Sequence, residues 1–60
     1  MPVVIIEMLE GRTIEQKKNL VEGITSAFAN IGTPAEALHI IMKDNPKHNV
    51  AIGDKLASEN

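Results

Sequence analysis

Four consecutive β-branched residues, Val3-Val4-Ile5-Ile6, constrain this chain more than any other feature. A strand sends successive side chains to opposite faces, so such a run makes both faces apolar. Residues 2–9 therefore read as a strand that needs cover on both sides. A chain of 60 residues has little with which to provide it, because a single core of that size is marginal. There is no cysteine to staple it, and His39 and His48 stand nine apart with no Cys nearby, which argues against a structural zinc site. Yet 43% of the residues are hydrophobic. With neither disulfide nor metal, association with further copies is the expected stabiliser.

The rest of the chain supplies one helix and one further strand. Glu10-Gly11-Arg12 is a turn, and Thr13 with Gln16 three residues on forms a capping box. The helix is expected over 14–31, with Ile14, Leu20, Val21, Ile24, Ala27, Phe28 and Ile31 as its apolar stripe. Gly23 weakens its interior and Gly32 suits the position that ends it. Thr33-Pro34-Ala35-Glu36 starts a single short turn, and 38–43 reads as the second strand. Asp44 to Asn49 is expected as a loop, followed by the apolar piece Val50-Ala51-Ile52 and a Gly53-Asp54 turn. The tail is expected to fray beyond Leu56.

Strand, helix, strand implies an α/β chain, a βαβ unit with two parallel strands. One amphipathic helix covers only one face of a two-stranded sheet, and two strands are too few for an independent sheet. An open apolar face and open edges remain, and identical copies are their natural cover. A fragment of a larger domain is the alternative. The opening Met1 and the polar tail favour a single domain over 1–60 that is completed by oligomerisation.

Composition excludes several functions. Six basic and eight acidic residues are interspersed at a net charge of −2, so no basic stripe suits nucleic acid. Phe28 is the lone aromatic residue, so there is no base-stacking platform. No apolar run reaches membrane-spanning length and no charged segment precedes the N-terminal apolar stretch, so a soluble cytoplasmic protein is expected.

Pro2 is the candidate reactive group. Removal of Met1 leaves a secondary amine at the head of an apolar strand, and desolvation lowers an amine's pKa toward the range useful to a general base. The alternative is a proline merely tolerated at the first residue of a strand.

Several residues together resemble the 4-oxalocrotonate tautomerase family: Met1-Pro2 at the head of the first strand, Leu9-Glu10-Gly11-Arg12, Glu15-Gln16-Lys17, Pro34 before the second strand, Ile52-Gly53, and Leu56-Ala57-Ser58. The resemblance spans nearly the whole chain. It implies a protomer that dimerises into a four-stranded sheet, with three dimers forming a homohexamer. It also implies cofactor-independent enol–keto tautomerase chemistry on a small 2-oxo acid, with the amino-terminal proline as base and acid.

On that resemblance Arg12 binds a substrate carboxylate, often in a neighbouring subunit, as the paired donors of a guanidinium allow; the alternative is a solvated turn arginine. His39 stands where the best-known tautomerases carry a second arginine. Histidine is shorter and only partly charged near neutral pH. It serves either as a donor to the substrate carbonyl or as an ordinary strand residue. Val50 replaces a frequent aromatic, and Leu9, Val50 and Ile52 are expected as apolar pocket wall or as plain packing residues. A glutamate used by haloacrylate-hydrating relatives is replaced by Ile52, which cannot activate water. Glu7, Glu10 and Asp54 read as solvated or structural, and His48 as a surface residue. Two further readings stand beside the tautomerase: a catalytically idle, ligand-binding oligomer, and a hydratase or dehalogenase of a conjugated acid.

Overall fold

The computed structural model describes residues 2–59. Met1, whose removal would free the Pro2 nitrogen, lies outside the described residues, as does Asn60. Strand β1, Val3–Leu9, leads through the Glu10-Gly11-Arg12 turn into helix α1, Ile14–Ala29. Strand β2, His39–Asn45, follows a 3-10 turn at Ala35–Ala37. The two strands pair in parallel, from Val3 opposite His39 to Leu9 opposite Asn45. After a second 3-10 turn, Lys47–Asn49, the short strands β3, Ala51–Ile52, and β4, Lys55–Leu56, form an antiparallel hairpin. Its two-residue loop begins with Gly53 at φ 62, a left-handed conformation that glycine adopts without steric cost.

The helix begins as its capping box requires. Thr13 Oγ1 accepts from the Gln16 N–H at 3.1 Å, and Gln16 Oε1 accepts from the Thr13 N–H at 2.9 Å. The helix ends earlier than position 31, at Ala29. Past it, the N–H of Gly32 bonds to the Ala29 carbonyl and that of Thr33 to the Phe28 carbonyl, both at 3.0 Å. This is the Schellman pattern, with Gly32 at φ 94 taking the left-handed position.

Period-2 alternation divides the sheet into two faces. Val4, Ile6, Met8, Ile40 and Met42 are half-buried on one. Helix positions Lys17, Val21, Ile24, Thr25 and Phe28 are half-buried at the matching i, i+4, i+7, i+8, i+11 spacing. The Lys17 ammonium reaches the Asp44 carboxylate and ties α1 to β2. The stripe expected from sequence is narrower in the fold: Ile14 and Ile31, at the helix termini, are 80% and 77% exposed, and Leu20 and Ala27 are exposed as well.

The other face is open. Val3, Ile5, Leu9 and Ile41 are exposed there, Ile5 by 57%. This face is less apolar than the β-branched run suggests. Glu7 and Lys43, opposite each other in the ladder, stand 3.9 Å apart as an ion pair on it, and His39 is exposed beside Val3. No described residue is fully buried. The accessible surface is 4665 Å², against about 3800 Å² for a compact monomer of this mass. The radius of gyration is 14.5 Å, against about 10 Å for a compact chain of this length. One apolar face of the sheet is thus left without cover by the described residues.

Two further boundaries differ from expectation. Strand β2 runs to Asn45 rather than 43, because Asp44 and Asn45 pair with Met8 and Leu9, and the Asn45 carbonyl accepts the Glu10 N–H at 2.9 Å. The tail does not fray at Leu56. Ala57–Glu59 forms a 3-10 turn, with the Leu56 N–H bonded to Glu59 Oε2 at 3.1 Å and the Ala57 N–H to the Val50 carbonyl at 2.8 Å.

Candidate active site

The six site residues expected from sequence fall into two groups at opposite ends of the sheet. Pro2 and His39 form the first. Val3 and His39 are partners in the ladder, and the His39 N–H donates to the Pro2 carbonyl at 3.2 Å. That bond fixes the half-buried Pro2 at the head of β1, beside the head of β2. The His39 side chain is exposed on the open face, in line with Ile41 and Lys43.

Arg12, Leu9, Val50 and Ile52 form the second group. The strand ends at Leu9, and Gly11 at φ 117 redirects the chain into the helix. Arg12 leaves from that turn. It lines a cleft of about 480 Å³ with Met8, Leu9, Glu10, Gly11 and Lys47. A second cleft of about 410 Å³ shares Leu9 and Lys47 with the first and is walled by Val50, Ile52, Lys55 and Leu56. Leu9, Val50 and Ile52 thus line one cleft, and Arg12 shares the adjoining cleft with Leu9. Ile52 is 87% exposed on the hairpin, a large cost in water for an aliphatic side chain with no local cover.

One carboxylate organises this end. Glu10 Oε2 accepts from the Lys47 N–H at 3.3 Å, so the loop after β2 is held against the turn after β1. Of the two sequence readings of Glu10, solvated or structural, this bond fits the structural one. Asn45 assists from the sheet, its Nδ2 donating to Glu7 Oε1 at 3.0 Å and to the Met8 carbonyl at 3.2 Å. The role of Asn45 was not visible in sequence, where Asn45-Pro46 reads simply as a loop. The charge balance favours anions: Arg12, Lys47 and Lys55 line the two clefts against the carboxylate of Glu10. None of the three cations is in an ion pair among the described residues. Among the described residues no three His, Cys, Asp or Glu side chains are grouped to hold a metal ion, and no helix is long and apolar enough to cross a membrane.

The separation of the groups decides what one protomer can do. Seven residues of β1 lie between Pro2 and Glu10, a span of roughly 23 Å at about 3.3 Å per residue. A small acid cannot reach the Pro2 nitrogen and the Arg12 guanidinium of the same chain together. A site that uses both must take them from different copies.

Comparison with known proteins gives a consistent set of relatives. A family model described as "Tautomerase enzyme" matches residues 2–60. A "Probable tautomerase" of Lactiplantibacillus plantarum is 42% identical over 60 residues, covering 98% of this chain and 94% of the relative. The 2-hydroxymuconate tautomerase of a Pseudomonas species is 35% identical over 60 residues, covering 98% and 95%. A heterohexamer 4-oxalocrotonate tautomerase from Chloroflexus aurantiacus superimposes with a TM-score of 0.88 at 30% identity, covering 98% of this chain and 97% of that one.

Proposed function

Because the chain belongs to the tautomerase family, we propose that it is an enol–keto tautomerase, an isomerase acting on a small 2-hydroxydienoate or 2-oxo acid, with the Pro2 amine as base and acid. The observation that carries this reading is the placement of Pro2 at the head of an apolar strand, tied to the head of β2 by the His39 N–H. A model α-amine titrates near about 7.7–8.0, and desolvation among apolar side chains lowers that value. Such a base is matched to reversible proton transfer at neutral pH.

The chemistry needs no net change of atoms. The Pro2 nitrogen, free once Met1 is removed, takes the proton of the dienol hydroxyl. The oxygen becomes the keto carbonyl, the double bonds shift along the chain, and the proton returns from the Pro2 nitrogen to a distal carbon. Arg12 of a neighbouring copy binds the carboxylate through paired hydrogen bonds. His39 donates to the oxygen at which negative charge develops. Leu9, Val50 and Ile52 exclude water from the diene. We also propose that the chain works as a single domain over 1–60, in the cytoplasm, as a homohexamer built from three dimers. The open sheet face and the heterohexameric relative from C. aurantiacus support that assembly.

The test is a rate measurement on 2-hydroxymuconate and phenylenolpyruvate for the wild type and Pro2→Ala. A large loss in the variant is expected; equal rates remove Pro2 from the mechanism.

A further inference from the structure

Lys47 stands at the junction of the two clefts and has no assigned role. The cleft of about 480 Å³ places it with Arg12, and the cleft of about 410 Å³ places it with Val50 and Ile52. Its backbone is fixed twice over. The N–H is held by Glu10 Oε2 at 3.3 Å. The residue also opens the 3-10 turn Lys47–Asn49, whose Asn49 N–H bonds to the Pro46 carbonyl at 2.8 Å. Its ammonium is in no ion pair among the described residues, unlike those of Lys17 and Lys43. An unpaired cation at the junction of two clefts, one shared with Arg12 and the other walled by Leu9, Val50 and Ile52 beside Lys55, suits one kind of ligand: an unsaturated chain with an anionic group at each end.

We propose that Lys47 binds the second carboxylate of a dianionic substrate, the first being held by Arg12 of the same copy. This deepens the tautomerase reading and rests on it for the chemistry, though not for the binding. The site is then selective for an unsaturated dicarboxylate over the matching monocarboxylate. An ammonium suits that role, because it carries a compact charge on a long stem and makes a charge-assisted bond without needing a fixed fork geometry. His39, at the far end of the sheet from Arg12 in the same copy, is left free for the carbonyl.

The test uses the full chain in its native assembly and compares binding of muconate and sorbate, six-carbon dienes that differ by one carboxylate. In Lys47→Met the dissociation constant for muconate is expected to rise about tenfold, the loss of one charge-assisted bond, and that for sorbate by less than about twofold. Lys47→Arg restores muconate binding. Size-exclusion chromatography of each variant confirms an unchanged assembly. An equal change for both ligands, no change, or a wild type that fails to bind muconate overturns the proposal. Turnover of 2-hydroxymuconate by the wild type separates the two claims: intact discrimination by Lys47 without turnover contradicts the tautomerase and leaves the binding role standing.

Discussion

His39 and Pro2 are joined by a backbone hydrogen bond of 3.2 Å from the His39 N–H to the Pro2 carbonyl, which places the candidate base beside the candidate carbonyl donor. Arg12 emerges seven strand residues away, beyond the other end of β1. The two relationships together make the proposed site an intersubunit one.

Mixing experiments test this directly. Pro2→Ala and Arg12→Ala are each expected to be nearly inactive. Co-refolded in equal amounts, they should recover about a quarter of wild-type activity, the share of sites that draw Pro2 and Arg12 from unmutated positions on different copies. A site contained in one protomer recovers none. The measurement is the rate on 2-hydroxymuconate before and after mixing.

The open face predicts a defect in assembly. Ile5 is 57% exposed and shares that face with Val3 and Ile41. Burying the part still exposed contributes about 1–2 kcal/mol per copy. Ile5→Asp should therefore abolish the oligomer in size-exclusion chromatography and, with it, most of the cooperative thermal transition. An exposed site outside the face, such as Lys18→Asp, should leave both unchanged.

Two glycines of α1 and its end should respond to alanine with opposite sign. Gly32 sits at φ 94, and an L-residue held there costs about 1–2 kcal/mol. Gly23 lies inside the helix with nothing within 4 Å of an added Cβ, and alanine there gains about 0.5–1 kcal/mol. At fixed protein concentration, Gly32→Ala should lower Tm by several degrees and Gly23→Ala should raise it, at about 4–8 °C per kcal/mol. A fall in both would mean that neighbouring copies cover Gly23.

The pH dependence follows from the amine. A Pro2 amine serving as the proposed base works only when unprotonated, so kcat/KM should fall tenfold per pH unit below its pKa. A desolvated amine titrates under the model α-amine range of about 7.7–8.0. A rate profile flat from pH 5 to 9 contradicts an amine base.

Much of the fold was legible in the sequence, for reasons tied to single residues. The run Val3-Val4-Ile5-Ile6 marked β1, Thr13 and Gln16 set the start of α1, and Gly32 and Gly53 marked turns that the backbone confirms at positive φ. The end of β2 was obscured because Asp44-Asn45-Pro46 has the composition of a turn, whereas the ladder to Met8 and Leu9 holds the first two in the strand. The exposure of Ile14, Ile31 and Ile52 was hidden for a different reason: an apolar residue signals burial, whereas these stand at the helix termini and on the hairpin with little cover from the rest of the protomer. The same limit applied to the site. Residue types pointed to Pro2, Arg12 and His39 without revealing that Arg12 stands at the opposite end of the sheet from the other two. Lys47 carried no signal at all, since its place between the clefts depends on the Glu10 carboxylate that receives its N–H.

Covalent labelling of the purified protein with a bromo-keto acid, followed by mass spectrometric mapping, bears most directly on Pro2 as the base. The expected product is a chain that lacks Met1, carries one label on the Pro2 nitrogen, loses tautomerase activity in step with labelling, and is protected by muconate. A chain that retains Met1, or a label placed elsewhere while activity disappears, would contradict an amine base at Pro2.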